Sequence, residues 1–560
     1  MNIQVLLEKY FDVAFAAPNG VKKLRELILS LAMQGKLVAQ DPHDVPASEL
    51  LKEIEAEKNR LVKAGKIKLS KSLPEIKPDE VTYDLPKSWE WVRLNNVLDV
   101  RDGTHDTPKY VDIGYPLITS KNLYTGVLSF EDIKFISEED HRKINERSKV
   151  DIGDILFAMI GSIGNPVIVD CREDFSIKNV ALFKFYLTDK PSNRYLHYFL
   201  KQAQESMKAN SSGAVQNFVS LGFLRNYMFP LPPLPEQRRI VAKIDELMAR
   251  CDELEKLRGN LNQKQITVHN AALNRLLTAK DQSEFNTAWQ FITQHFGELY
   301  SVKENVAELR KAILQLAVMG KLVPQDPIDE PAKYLLERIA ASRKNKSSKN
   351  IPPKDDSGES LKLTVNIPES WKLCQLWQIA TVCLGGTPSR NELSFWDGNI
   401  PWVSSGEVAN CRIESTEEYI TDNGLNNSNA KIYPRNTVLI AMIGQGKTRG
   451  QSAILDIEAC TNQNVAGLVF ESGNIDPNYV WKWALSEYEK TRSGSRGGAQ
   501  PALNGRKVST LWIPIPPLAE QHRIVAKCDR LMTLCDTLEK QIDETNSKKT
   551  NLLNAVMTKV

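Results

Sequence analysis

Apolar residues fall into two alternating regimes along the chain. After Glu236, Ile240, Ile244, Leu247, Cys251 and Leu254 step by four and three residues, and after Glu520 the series Ile524, Cys528, Leu531, Cys535, Leu538 and Ile542 does the same. That spacing keeps one apolar stripe on a helix and is the pattern of a coiled-coil seam. A helix from about Glu236 to Lys280 holds roughly 45 residues and extends some 65 to 70 Å at 1.5 Å per residue. Glu236 and Glu520 then lie in the first turn, where a carboxylate suits the positive end of the helix dipole. The proline-rich run before each seam predicts a stop for whatever precedes it. Over 86–229 and 366–513 the apolar runs are short. DILFAMIG, NVALFKF, NTVLIAMIG and VAGLVF are bounded by Gly, Asn, Asp and Pro, and they predict strands of compact mixed domains.

The two regimes recur because the chain repeats itself. VKKLRELILSLAMQGKLVAQDPHDVPASELLKEIEA from Val21 returns as VAELRKAILQLAVMGKLVPQDPIDEPAKYLLERIAA from Val306, with about 21 of 36 positions identical. PLPPLPEQRRIVAKIDELMARCDELEK from Pro230 returns as PIPPLAEQHRIVAKCDRLMTLCDTLEK from Pro514. Between these blocks LPKSWEWVRL echoes IPESWKLCQL, and AMIG and NVA each occur twice in the same order. Such a duplication predicts two heads on one scaffold. The expected fold class is α+β, with two mixed α/β heads joined by long antiparallel coiled-coil helices in a pseudo-two-fold internal repeat. The expected segments are 1–85 as helical scaffold and linker, 86–229 as the first head and 230–365 as spacer, second scaffold repeat and linker. Residues 366–513 form the second head and 514–560 the final spacer helix. The lysine-rich stretches KAGKIKLSKS and SRKNKSSKN read as exposed linkers. Trp89 and Trp371, at one position of each copy, read as locks between head and scaffold, and Cys251 and Cys535 as small packing residues of the seam.

Composition narrows the picture only a little. The 560 residues are 42% hydrophobic and 25% charged, an ordinary globular mixture that excludes a mainly disordered or collagen-like chain. Neither a secretory leader nor an apolar run of membrane-spanning length stands in the sequence, and the eight cysteines form no C-x-x-C pair. A reducing, cytoplasmic setting without a membrane is the expectation. Net charge is +3, and neither head is basic, with 18 Lys and Arg against 18 Asp and Glu over 86–230 and 13 against 14 over 366–518. Nucleic-acid binding would then require segregation of charge across each head.

Recognisable catalytic chemistry is missing from the motifs. The seven histidines are dispersed, and no H-E-x-x-H or G-x-G-x-x-G follows a strand. AMIGQGKT at 441–448 approaches a phosphate-binding loop, but Ala441 stands where its first glycine belongs, and a helix must follow to supply amides and dipole. RGQSAILD follows instead, and the first copy reads AMIGSIGN without a lysine. No catalytic residues and no metal ligands are assigned.

Two P-L/I-P-P-L-x-E-Q-x-x-I-V-A-K blocks with heptad seams, alternating with two unlike domains opened by I/L-P-x-S-W, resemble the specificity subunit of type I restriction-modification systems. The paired L-x-x-x-I-L-x-L-A-x-x-G-K-L-V-x-Q-D-P blocks resemble its subgroup with long N-terminal and central regions. The resemblance implies a non-catalytic subunit whose two target-recognition domains each read one half of a split, asymmetric site in double-stranded DNA. It implies that the helical spacer sets the gap and docks two modification subunits, which use S-adenosylmethionine to methylate adenine N6. Two ATP-dependent motor-nuclease subunits, with Mg, complete the restriction form, and no cofactor is expected in this chain. A two-headed protein adaptor on a coiled-coil ruler stays open as an alternative, and a nucleotide hydrolase built on 441–448 as a third.

If the heads read DNA, loops rich in Arg, Lys, Asn, Gln, Ser and Thr at strand ends are the candidates, because Arg and Lys suit guanine and Asn and Gln suit adenine. In the first head these are Arg101, Asp102, Thr104, His105, Thr107 and Lys109, then Ser120, Lys121 and Asn122, then Lys178 and Asn179. In the second they are Thr387, Ser389 and Arg390, then Ser404, Ser405 and Glu407, then Gln445, Lys447 and Arg449, then Asn462, Gln463 and Asn464. Arg492, Arg496 and Arg506 suggest a phosphate track. Asp102-Gly103 and Gly385-Gly386 equally suit plain turns, and Asn179 and Asn464 plain capping residues.

Overall fold

A computed structural model describes residues 15–68, 73–187, 192–209, 218–345, 367–444, 447–471, 473–489 and 503–557. It divides into two compact units, residues 1–259 with 546–560, and residues 260–545. Each unit gathers one head and helical segments drawn from distant parts of the chain.

In the first unit, helix α1 (Gly20–Met33) turns Val21, Ile28, Leu29, Ala32 and Met33 inward. It ends where Gly35, at φ +68°, lets the Lys36 amide reach back to the Leu31 carbonyl at 2.9 Å. This is a Schellman-type stop that favours glycine, and a Cβ there would also fall 2.4 Å from Pro86. Helix α2 (Ala47–Lys63) follows. Strand β1 (Glu90–Arg93) pairs antiparallel with β10 (Met228–Leu231), so the chain enters and leaves the head through one two-stranded ribbon. The proline run expected to stop the structure is thus partly strand. Pro230 lies in an edge position, where a missing N–H is tolerated, and its carbonyl accepts from the Tyr195 hydroxyl at 3.0 Å.

The head carries two sheets. One has strands β2 (Leu98–Asp102), β9 (Val180–Phe185), β6 (Ile155–Ala158) and β7 (Gly164–Ile168), in that order. The other has β3 (Tyr110–Val111), β5 (Lys134–Ile136), β4 (Tyr115–Ile118) and β8 (Ser176–Ile177). Helices α3 (Glu138–Ser148) and α4 (Asn193–Ala209) complete it. The uninterrupted apolar runs of the sequence are explained by β6 and β9, which are buried on both faces. Ile155, Phe157, Ala181 and Phe183 face the core shared with the helices, while Leu156, Ala158, Val180 and Leu182 face the core of the outer part of the head. Each large side chain so buried contributes about 1.5–3 kcal/mol.

Helix α5 (Leu234–Thr278) begins directly after Pro233. Its seam residues Ile240, Ile244 and Cys251 share one core with Leu29 and Met33 of α1 and with Tyr195 and Phe199 of α4. The apolar stripe is buried as far as Cys251, and Leu254 is 37% exposed.

The second unit repeats this plan. It contains α6 (Gln282–Gln294), α7 (Lys303–Val318), α8 (Ala332–Asn345), α9 (Pro477–Ser486) and most of α10 (Leu518–Met557). Its root ribbon pairs β11 (Lys372–Gln375) with β20 (Trp512–Ile515). One sheet has β12 (Ala380–Leu384), β19 (Val465–Phe470), β16 (Val438–Ala441), β17 (Ser452–Leu455) and β14 (Cys411–Ile413) in order. The other has β15 (Glu418–Ile420), β13 (Trp396–Val403) and β18 (Cys460–Thr461). Val438, Ile440 and Leu468 face the helical core, and Leu439, Ala441 and Val465 the outer one.

At each root the same polar contacts recur. The Glu236 carboxylate, 1% exposed, accepts from the Trp89 indole at 2.9 Å and the Gln40 amide at 2.5 Å. Glu520 accepts from Trp371 at 2.9 Å and Gln325 at 2.7 Å. Burial raises both carboxyls above the usual glutamate range, and the two donors pull them partly back. Arg239–Asp44 and Arg523–Asp329 flank them, each at 2.6 Å. The expected tryptophan lock therefore closes onto a carboxylate that the sequence had offered only as a dipole partner. All eight cysteines are free, with Cys251 and Cys535 buried in the seams. No helix among the described residues is long and apolar enough to cross a membrane.

Candidate nucleic-acid interface

Four segments that lie far apart in the sequence of the first head meet at one tip. The loop after β2 joins the turn between β8 and β9, where Thr104 donates its amide to Ile177 O at 3.0 Å and Asn179 donates to Thr104 O at 3.1 Å. The end of β4 joins them through Lys178 N–H to Ile118 O at 2.9 Å, and the β6–β7 hairpin through Met159 N–H to Asn179 O at 3.3 Å. Gly103 is needed for this approach, because a Cβ would fall 2.1 Å from the Ile177 carbonyl oxygen. Asn179 occupies the left-handed region at φ +56°, which asparagine tolerates.

Side chains then fix the tip. The Asp102 carboxylate, 8% exposed, faces inward and accepts from His105 Nε2 at 2.8 Å and from the Arg147 guanidinium on α3. Arg147 also approaches the Gly103 carbonyl at 3.3 Å. His105 Nδ1 stands 3.0 Å from Asn179 Oδ1, and Lys178 bonds the Thr107 hydroxyl. Arg101 is paired with Asp99 at 2.6 Å, its partner two residues away on the same face of β2. Asn122 is buried and holds Thr119 and Ser129 at 3.0 Å, a structural task. Ser120 opens the same short turn, half-buried, while Lys121 and Lys109 are exposed.

The second head brings the corresponding loops together with different chemistry. Gly386 donates to Thr461 O at 2.8 Å, Asn462 to Val403 O at 3.1 Å, and Met442 to Asn464 O at 2.8 Å. A Cβ on Gly385 would fall 2.2 Å from Thr461 O, and one on Gly386 would fall 2.4 Å from the backbone of Asn429. Thr387 bonds Gln463 across the gap. Arg390 pairs with both oxygens of Glu418 and lies 3.9 Å from the Trp396 ring centroid. That pairing holds the Glu418 carboxyl below its usual range. The Trp396 indole donates to the Ser389 carbonyl at 3.1 Å. Glu407 receives the Ser404 amide at 2.7 Å and the Glu417 amide at 3.0 Å, Ser405 is half-buried beside it, and Asn462 Oδ1 receives the Asn464 amide at 3.0 Å. Lys447 is exposed, with its carbonyl accepting from Tyr488 at 2.7 Å, whereas Arg449 is buried. Gln445, Arg492 and Arg496 lie outside the described residues; Arg506 opens a short helix, Gly505–Ser509.

The stretch 441–448 connects antiparallel strands β16 and β17, with Gly450 N–H bonded to Ala441 O at 2.9 Å. A phosphate-binding loop needs a helix at this point; among the described residues a strand follows. The first head has the same hairpin between β6 and β7.

Sequence reasoning missed Arg147 and Lys143. They sit in EEDHRKINERS, whose alternating charge reads as a solvated helix face, and no local signal marks either as part of the tip. They line, with Thr104, Asp106, Pro108 and Asp140, a cavity of about 200 Å³ between the β2 loop and α3. Trp396 and Glu418 were also missed, since only the pairing of β13 with β15 brings them to Arg390.

A family model described as type I restriction modification DNA specificity domain matches residues 86–263 and 368–545. The EcoAI specificity subunit of the type I restriction enzyme of Escherichia coli is 32% identical, over 96% of this chain and 93% of that protein. The EcoEI specificity subunit of Escherichia coli is 30% identical, over the same shares. A crystal structure of an HsdS subunit from Thermoanaerobacter tengcongensis aligns at 16% identity with a TM-score of 0.40, covering 86% of this chain and 98% of that one.

Proposed function

The chain belongs to the type I restriction modification DNA specificity family, and from that premise we propose that its two heads each read one half of a split, asymmetric site in double-stranded DNA. The helical spacer, in this proposal, sets the unread gap and docks two modification subunits, and two motor-nuclease subunits complete the restriction form in the cytoplasm. S-adenosylmethionine, ATP and Mg then belong to those partners, and this chain contributes recognition without catalysis.

The observation that carries the reading is the contrast within each head. Both roots repeat one set of contacts around Trp89–Glu236 and Trp371–Glu520, whereas the tips join equivalent loops with unlike side chains. Unlike tips on like roots suit the reading of unlike half-sites. The near-zero charge of each head further implies that affinity depends on partners adding phosphate contacts, since such contacts carry most of the salt-dependent binding energy.

Exchange of residues 86–229 for the first head of another family member tests this directly. Expressed with its modification subunits, the chimaera should methylate adenine N6 in a split motif with one half altered and the other retained. A map in which both halves change, or neither does, defeats the proposal.

A further inference from the structure

We propose that Arg147, held in place by Asp102, reads the guanine of a G·C pair within the half-site of the first head. The inference rests on the half-site reading above and adds a residue and a base to it.

Arg147 combines an anchored side with an open one. Its Nη2 is bound to a carboxylate that is 8% exposed and lies near two backbone carbonyls, Asp102 O at 3.4 Å and Gly103 O at 3.3 Å, while 61% of its side chain remains exposed. A guanidinium fixed in this way loses little rotamer freedom on meeting a ligand, so its remaining N–H groups are pre-oriented donors. Asp102 is accordingly a positioning residue, and its second partner, His105, ties the same carboxylate to the β8–β9 turn through Asn179.

The character of the neighbouring cavity selects the ligand. Lys143 and Arg147 lie one helical turn apart on α3, Asp140 lies on the same helix a turn before Lys143, and with Asp106 of the β2 loop they line about 200 Å³. A phosphate carries acceptors only and would be repelled by the two carboxylates. A G·C edge in the major groove offers the O6 and N7 acceptors of guanine beside the N4 amino donor of cytosine, which matches a lining of cations and carboxylates. Among the described residues of the second head, the loop after β12 is instead packed close, with Gly386 against the backbone of Asn429 and Ala430.

The test is methylation mapping of the full complex with Arg147→Gln, Arg147→Lys and Asp102→Asn. Arg147→Gln should lower the preference for the G·C pair at one position of the first head's half-site by roughly ten- to a hundredfold and leave the other half unchanged. Arg147→Lys keeps a donor beside Asp102 and should retain the parent motif, while Asp102→Asn should relax the same position less than Arg147→Gln does. If the Arg147→Gln complex does not assemble, Asp102→Asn decides: a preference relaxed at one G·C position of the first half-site supports the proposal, and an unchanged or uniformly weakened motif overturns it. An unchanged motif with Arg147→Gln, a uniform loss over all sequences, or a half-site without any G·C pair also overturns it. A parent complex that methylates no split site would instead defeat the half-site reading.

Discussion

Root and tip of each head obey opposite rules. At the roots, residues some 285 positions apart make the same bonds at nearly the same lengths, Trp89 and Trp371 to a buried glutamate at 2.9 Å and Arg239 and Arg523 to an aspartate at 2.6 Å. At the tips the backbone joins are equivalent but the side chains are not. The first head closes through Asp102, His105 and Arg147, the second through Thr387–Gln463 and through direct packing of Gly386. A buried root tolerates few solutions, because a donor or acceptor left unpaired there costs about 1–3 kcal/mol. Exposed tips face water, which satisfies almost any polar side chain, so their chemistry is free to diverge.

The equivalence of the roots is most severely tested by Trp89→Ala and Trp371→Ala. Each should destabilise its own unit by about 3–5 kcal/mol, through lost burial and an abandoned carboxylate partner. Hydrogen exchange resolved by unit would check this, and a loss below about 1 kcal/mol in either would break the equivalence. Gly103→Ala and Gly385→Ala come next. The added methyl would crowd a carbonyl oxygen at 2.1 and 2.2 Å, so we expect about 1–3 kcal/mol of local destabilisation, read as weakened methylation at sites carrying the parent sequence.

Acidity separates root from tip by sign. Glu236 and Glu520 have raised values, so the folded chain binds more protons than the unfolded chain just above the ordinary glutamate range. Their contribution to stability therefore falls as pH rises through that window. Glu418 is depressed by Arg390, so its contribution is present above the ordinary range and is lost as pH falls through its lowered value. Unfolding measured between pH 3 and 7 should show Glu520→Gln and Glu418→Gln changing the pH slope in opposite directions; equal signs would contradict the assignment. The smallest effect belongs to Thr387→Val, which removes one exposed bond to Gln463. About 0.5–1 kcal/mol is expected, seen as faster exchange where β12 meets β19 and unchanged exchange in the first head.

Much of this architecture was legible in the chain. The four- and three-residue steps placed the long helices, and the short apolar runs found β6, β9, β16 and β19, because strands buried on both faces must be apolar throughout. The glycine loops were recognisable as turns. The loops proposed as the reading surface also meet at one tip of each head, but the direction of their side chains was not readable. Asp102, Asn122, Arg449 and Asn462 proved to be buried, while Lys109, Lys121 and Lys447 are exposed. Arg147 belongs to a helix with no local mark of function.

By itself the sequence determined the duplication, the helical seams, the double-faced strands and the unlikeness of the two heads, since each is written in local periodicity or direct repetition. Tertiary structure alone decided which carboxylate receives each tryptophan, and which of the polar loop residues bond one another rather than facing outward. It also decided that a helical arginine reaches the loop after β2. Trp89–Glu236, Trp371–Glu520, Asp102–Arg147, His105–Asn179 and Thr387–Gln463 join residues 45 to 149 positions apart, and local spacing carries no information about which distant donor will meet a given acceptor.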